Sequence, residues 1–595
     1  MRKELLTLRE IMEKRDVQWC VVPTDDYHAS EYVGDYFKCR AYVSGFTGSA
    51  GTLLVGREWA GLWTDGRYFL QAEAQLRGSG ISLMKSGEPG VPTLTAFLSE
   101  NLKPGETLAF DGRTVSWQAC QHYREIAREA EASLRIDLDL VGEIWEDRPA
   151  LSAAPAFELP LHATGRSRAD KLALVREAMR LENAGTLVLS SLMDICWLMN
   201  LRGGDVACTP VVLSYAVVTP EKAVLFLNPA VLSPEIREHL AEDGVEVAPY
   251  EAVEEEIRRI TAGTTVWMDL KVVNCALRAA VPEGVAVLNK TNPTVLPKAV
   301  KNATEVANFR EAHVKDGVAV TRLMYWLKKN IGTLPMDEIS VAEKLESLRR
   351  EQPGYLMPSF HPIIAWGPHG AIIHYSATEE TNWAVQPRSF LLADTGGHYM
   401  EGTTDITRTF AMGPLTNEEK ELYTRVLMGH LRLGAARFRH GCSGLSLDCL
   451  AHGPLWEIGM DYNHGTGHGV GYVLSVHEGP QSFRWWKPAG TEPAVLEPGM
   501  ITSDEPGVYL EGKFGVRLEN LTVVCEDQTN AFGRFLRLEY LTLVPFDLDA
   551  IVPEMLEERD RRCLNAYHAL VQEKILPHLS DPEERAWLIR ATRAI

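Results

Sequence analysis

The chain has no long apolar run. Among its 595 residues, nothing approaches the about 18 consecutive apolar residues of a membrane-spanning helix. No transmembrane span is therefore expected. Cysteine is sparse, with ten residues at positions 20, 39, 120, 196, 208, 275, 442, 449, 525 and 563, and no Cys-x-x-Cys pair. That irregular spacing reads as reduced, mostly buried thiols of a cytoplasmic protein. The start, MRKELLTLREIMEKRDV, lacks the apolar stretch of a secretory signal. Positive charge is outweighed: 60 Lys plus Arg against 80 Asp plus Glu give a formal net charge of −20. Such a chain repels phosphate, so neither nucleic acid nor an anionic membrane is an expected partner.

What is present is an ordinary globular composition, 45% apolar and 24% charged. It excludes a disordered, collagenous or coiled-coil chain. At roughly 100–200 residues per domain, the length allows about three to five domains, and one core rarely grows past about 250–300 residues. Strand-like and helix-like segments alternate, which predicts α/β or α+β layers. A helix is predicted at 5–14, strands at 18–22, 51–55 and 60–64, and a helix at 67–77. Residues 149–164, rich in proline and alanine, have linker composition. A second unit starts with the helical pattern 166–182 and continues with strands at 186–190, 211–218 and 223–228. Its order echoes the first unit, so a structural duplication is expected. The run NPTVLPKAVKN (292–302) reads as a second linker, and 304–329 as a long amphipathic helix opening a third unit. The expected domains are 1–160, 161–297 and 298–595, the last ending in a charged helical tail.

The chemistry lies between residues 360 and 520. In FLLADTGGHYMEGTTDITRTF, an apolar run ends at Asp394, and Asp405 follows eleven residues later. Their midpoint is Tyr399–Met400, so a simple hairpin would oppose the two acids. In ITSDEPGVYLEGKFGVRLENLTVV, Glu505 and Glu519 are fourteen apart about Gly512, the expected hairpin tip. Opposed residues on one face have Cβ atoms about 4.5–5.5 Å apart, and like charges so placed repel. Burying them unpaired costs several kcal/mol or raises their pKa values. Two such pairs, each beside an apolar run, call for a cation; solvated acids on strand faces are the alternative. Four carboxylates and a histidine suit two divalent ions such as Mn²⁺, Co²⁺ or Zn²⁺, and carboxylates bridge ions about 3.5–4 Å apart. Candidate histidines are His464, His468 and His477 in NHGTGHGVGYVLSVHEGP, whose glycines let backbone approach a ligand. Each could instead be a satisfied core or surface histidine. His374 ends the strand-like run AIIHY, while His361 and His369 read as structural.

These residues resemble a known family. GAIIHY, DTGGHYMEGTTDITRTF, HGTGHGVGYVLSVHEGPQ, TSDEPGVY and GVRLEN are similar to motifs of the pita-bread metallopeptidases, above all the three-domain Xaa-Pro aminopeptidases (aminopeptidase P). AYVSGFTGSAGTLLV and LWTDGRYFLQA resemble that group's first domain, DICWLMNLRGGDV and TPVVLSY its second. NPTVLPKAVKNATEVANFREAHVKDGVA resembles the entry to its catalytic domain, and LRLEYLTLVPFDLDAI with LNAYH its tail. The resemblance spans nearly the whole chain. It implies an α/β (α+β) fold of two creatinase-like N-terminal domains followed by a C-terminal pita-bread catalytic domain. It also implies two divalent ions, manganese first, with cobalt or zinc as alternatives. Asp394 would bind one ion, His468 and Glu505 the other, and Asp405 and Glu519 would bridge them. Glu505 would serve as general acid and base, and His374 and His477 would stabilise the reaction intermediate. His464 would line the proline side of the pocket, and Arg67 in TDGRYF would contact substrate. Arg517 would orient a ligating carboxylate; a plain surface arginine is its alternative. The implied substrates are peptides with proline second, and the implied assembly is a homodimer.

Four departures stand out. Thr395-Gly396-Gly397-His398 replaces Ser-Gly-Gly-Gln, and Asp504 replaces the asparagine before the metal glutamate. The latter would set an extra carboxylate beside the metals. The pair Trp485–Trp486 is unusual; packing is its expected role, and narrowing of a substrate channel the alternative. Arg562–Cys563 stands where the family tends to have tryptophan. Two other functions compete. A prolidase-type dipeptidase would normally carry a single N-terminal domain. A non-catalytic peptide- or protein-binding module of the same fold would have lost ligands, as creatinase has, and none is missing here.

Overall fold

The computed structural model describes residues 1–487 and 491–595. It forms two compact units, residues 1–160 with 166–295 and residues 161–165 with 296–595. No described helix is long and apolar enough to cross a membrane.

The first unit opens with helix α1 (Lys3–Lys14), which buries Leu5, Leu8 and Met12, a spacing of three and four that lays them on one face. Six strands follow: β1 (Trp19–Pro23), β2 (Thr52–Gly56), β3 (Ala60–Thr64), β4 (Ser82–Lys85), β5 (Thr107–Ala109) and β6 (Ser133–Arg135). They form one mixed sheet in the order β4-β3-β2-β1-β5-β6. Helix α2 (Arg168–Leu181) opens the second half, whose strands are β7 (Thr186–Leu189), β8 (Ser214–Val218), β9 (Ala223–Leu227), β10 (Val245–Pro249), β11 (Thr265–Met268) and β12 (Ala286–Asn289). Their order is β10-β9-β8-β7-β11-β12, the same path taken again. The directions repeat as well: the first three strands of each half pair antiparallel and the remaining pairs are parallel. The expected duplication is thus present as topology. The stretch 149–164 is less of a linker than its composition suggests. Its strand Phe157–Glu158 pairs with Leu201–Arg202, and Leu161–Thr164 is helical.

The second unit is built on helix α3 (Ala303–Asn330). Asn302 caps it, accepting from the Glu305 amide while the Glu305 side chain accepts from the Asn302 amide. The run 292–302 is also not a bare linker: Val295–Ala299 is helical, and Lys298 and Lys301 are buried. Strands β13 (Ile363–Trp366), β14 (Phe390–Thr395) and β15 (Ile406–Ala411) form an antiparallel sheet in that order. Alternation gives it two faces. Leu391, Ala393, Ile406 and Phe410 pack with Leu323 and Leu327 of α3. Asp394 lies on the opposite face, paired with Thr407. Beyond it lie β16 (Arg437–Arg439), β17 (Ile501–Asp504), the hairpin β18 (Gly507–Leu510) and β19 (Phe514–Arg517), and the long pair β20 (Asn520–Asn530) and β21 (Gly533–Tyr540). Helices α4 (Asn417–Gly434) and α5 (Glu558–Ile575) cover this region through Tyr423, Val426, Leu427, Leu564 and Val571.

Arg408 on β15 is the polar pin of this unit. It is fully buried and donates to the carbonyls of Thr407, Glu519, Val544 and Pro545 at 2.7–3.2 Å. It also reaches Asn520 Oδ1 and Tyr567 Oη at 2.7 and 2.9 Å. Removing the guanidinium strips these buried acceptors of a shared donor, so Arg408→Met should lower the unfolding free energy by about 3 kcal/mol or more. Denaturant unfolding measures this, and a change below about 1 kcal/mol would contradict the role.

Candidate metal centre

Register decides which acids meet. Gly507 pairs with Arg517 and Asp504 with Asn520, so both ladders carry Glu505 and Glu519 towards each other across the gap between them. Gly512, at φ +72°, turns the tip as the spacing requires. The aspartates differ from expectation. The hairpin tip lies at Met400–Glu401, because His398 pairs with Thr403 and Tyr399 with Gly402. Asp394 therefore opposes Thr407, and Asp405 faces the position of Gly396, where a Cβ would come 2.1 Å from the Thr404 carbonyl. The two aspartates share a face diagonally.

The donor atoms of Asp405, His468 and Glu519 lie within 4.8 Å of one another. His468 Nε2 is 3.5 Å from Asp405 Oδ2 and 3.4 Å from Glu505 Oε1. Its Nδ1 donates to the Gly469 carbonyl at 3.0 Å, which leaves Nε2 as the ligating atom. His468 can approach because Gly467 lacks a side chain: a Cβ there would sit 2.0 Å from the Ser503 carbonyl. Thr407 Oγ1 donates to Glu519 Oε2 at 2.8 Å, and Ser503 Oγ to Glu505 Oε1 at 3.1 Å. Arg517 is buried, and its Nη2 donates to Asp394 Oδ2 at 2.6 Å. The alternative of a plain surface arginine is thereby excluded.

Burial lifts the carboxyls of Asp394, Glu505 and Glu519 above their usual range. Arg517 opposes it at Asp394 and His468 at Glu505, whereas at Glu519 the charges of Asp405, Glu505 and Asp394 add to it. Burial alone would lower His468, but Asp405 and Glu505 outweigh it and raise the imidazole to about 9. Asp394 Oδ1 and Glu519 Oε1 are buried with no hydrogen-bond partner among the described residues. Orphaned buried carboxylate oxygens in an acid-rich site fit divalent cations, which would supply the missing charge.

The other candidate residues distribute as follows. His477 stands edge-on to His468, ring centroids 4.3 Å apart, and both line a cavity of about 350 Å³. His464 Nε2 meets Tyr509 Oη at 2.7 Å, and Arg517 Nη1 donates to the same hydroxyl at 2.7 Å. His374 does not end a strand: a 3₁₀ turn at Gly367–Ala371 runs into further turns there, because Gly370 packs directly on the Gly515 backbone. The adjacent Ile373 carbonyl accepts from Arg517 at 3.3 Å. Arg67 belongs to the first unit, where it forms a two-pronged pair with Asp65 at 2.8 and 2.9 Å. His361 is exposed, and His369 bonds to Glu338 at 2.8 Å. Asp504 is not beside the metals, because alternation turns it away from Glu505, and its carbonyl accepts from His430 Nδ1 at 3.0 Å. Thr395 Oγ1 and the Gly396 carbonyl both accept from Arg349 at 3.0 Å. Trp485 is half exposed and packs edge-on to Trp486, ring centroids 5.5 Å apart, so the expected packing is present; Trp486 also lies under the Arg484 guanidinium and lines the cavity. Sequence reasoning missed Thr407 and Tyr509, although alternation from Asp405 and from Glu505 puts each on the site's face.

Comparison with known proteins places the chain in a family. The model of metallopeptidase family M24 matches residues 307–526, and that of its C-terminal region residues 534–595. Two creatinase/prolidase N-terminal domain models match residues 5–137 and 147–305. A probable Xaa-Pro aminopeptidase P of Laccaria bicolor is 38% identical, covering 99% of this chain and 92% of its own. Xaa-Pro aminopeptidase 1 of Dictyostelium discoideum is 37% identical, covering 97% and 93%. The crystal structure of X-prolyl aminopeptidase from Caenorhabditis elegans, described as a cytosolic enzyme with a di-nuclear active site, superposes with a TM-score of 0.94 at 32% identity over 100% of this chain and 99% of that one.

Thr407 is not one of the five candidate ligands but orients Glu519. Thr407→Val should weaken divalent-metal affinity about 10–100-fold, measured by competition with a chelator. Unchanged affinity would show that Glu519 needs no such support.

Proposed function

The chain belongs to metallopeptidase family M24, and from that membership and the site we propose that it is an aminopeptidase using two divalent ions to release the first residue of peptides whose second residue is proline. The observation that carries the chemistry is the convergence of buried Asp394, Asp405 and Glu519 with partly buried His468 and Glu505. The full-length likeness to Xaa-Pro aminopeptidases supports the specificity. Bound divalent ions would supply Lewis-acid polarisation of the scissile carbonyl and acidify a water.

In this reading Asp394 would hold one ion, His468 and Glu505 the other, and Asp405 and Glu519 would serve both. Glu505 takes the proton of the attacking water at Oε1 and passes it to the departing proline nitrogen. That nitrogen carries no hydrogen in the peptide, so it must gain one to leave. His477 and His374 donate to the oxygen on which charge develops. His464, steadied by Tyr509, borders the proline ring, and Arg67 contacts the substrate. Arg517 keeps Asp394 ionised and aimed. We further assign manganese as the physiological ion, with cobalt or zinc as substitutes, a homodimer as the working form and the cytoplasm as the compartment. The proposed domains are 1–160, 161–297 and 298–595.

Glu505→Ala should abolish turnover of an Xaa-Pro-Yaa tripeptide, since it removes a ligand and the proton carrier together; near wild-type rates would show the site is elsewhere. The intact enzyme should cleave Xaa-Pro-Yaa tripeptides faster than Xaa-Pro dipeptides, and the reverse order would make it a dipeptidase. Arg67→Ala should lower activity while metal content stays at the wild-type level. Loss of metal in that variant would contradict a substrate-facing role.

A further inference from the structure

Three charged groups near the site have no part in the mechanism above. Lys298, Lys301 and Glu478 are all buried. Lys298 Nζ lies 3.0 Å from Glu478 Oε2, and Lys301 Nζ bonds to Glu478 Oε1. Burying such a cluster is expensive, and apolar residues of the same volume usually stabilise a fold as well or better. Its use is better sought in what it holds in place.

Glu478 directly follows His477 and lines the same cavity as His477 and His468. Its backbone amide donates to the Gly469 carbonyl at 2.7 Å, the carbonyl that also takes His468 Nδ1–H. The two histidine-bearing segments are so close that a Cβ on Gly469 would sit 2.0 Å from the Glu478 carbonyl. The lysines are fixed in turn. Lys298 lies in the last turn of the helix Val295–Ala299, and Lys301 donates its amide to the Gly499 carbonyl at 3.0 Å. Lys301 also precedes the capping Asn302 of α3. The carboxylate of Glu478 is thus gripped from two sides by a segment that is itself anchored at both ends.

We propose that Glu478, clamped by Lys298 and Lys301, is a positioning residue that sets the imidazole of His477 against His468 and the cavity. The proposal rests on the catalytic reading of His477. A two-by-two set of Glu478→Gln and His477→Ala in the full-length metal-loaded enzyme tests it, with kcat, KM, ion content and melting temperature read for each. Glu478→Gln should lower kcat about 10–100-fold, leave KM within about threefold and leave two ions bound. In the His477→Ala background the same change should cost less than about threefold further. If Glu478→Gln does not fold, Lys298→Met takes its place in the set, with Lys298→Arg expected to restore kcat. Equal losses in both backgrounds, or a loss that follows ion content or melting temperature, overturn the positioning role. An unchanged kcat in His477→Ala alone overturns the catalytic reading of His477 and the proposal with it.

Discussion

Four carboxylates that repel one another have to be held together in one site, and much of the second unit serves that constraint. The carboxyls of Asp394, Glu505 and Glu519 lie above their ordinary range mainly because they are buried. The fold answers with directed polar contacts in place of further packing. Arg517 neutralises Asp394, Thr407 and Ser503 aim Glu519 and Glu505, and Arg408 ties the Glu519 backbone to β15. What these contacts leave unsatisfied, Asp394 Oδ1 and Glu519 Oε1, is what divalent ions would take up.

The same logic explains where side chains are absent. Gly467 and Gly469 stand where a Cβ would collide with backbone at 2.0 Å, so His468 can be wedged between β17 and the segment carrying His477. The cavity beside these histidines is walled by Trp486 and Arg484. The repeated six-strand path of the first unit is a separate piece of architecture with its own apolar cores.

How much of this could be read in the sequence depended on whether local symmetry was marked. Gly512 marks its hairpin tip, so counting residues from it paired Glu505 with Glu519 correctly. No such mark lies at Tyr399–Met400. The turn sits one residue later, the register moves by two, and Thr407 takes the place opposite Asp394. The duplication was legible because strand and helix periods survive even where residue identities do not. The lysines of 292–302 were not, because proline content reads as linker while burial of a lysine depends on a distant partner, Glu478. Asp504 reads as an extra carboxylate beside the site only from its place next to Glu505, and adjacency along a strand is not adjacency on a face.

The central claim is that these five residues hold two divalent ions. Anomalous-difference diffraction from crystals grown with Mn²⁺, recorded at the manganese edge, tests it directly. The account predicts two peaks about 3.5–4 Å apart, with Asp405 and Glu519 reaching both, Asp394 reaching one, and His468 and Glu505 the other. No peak among these side chains, or a single peak in a fully loaded crystal, would contradict it.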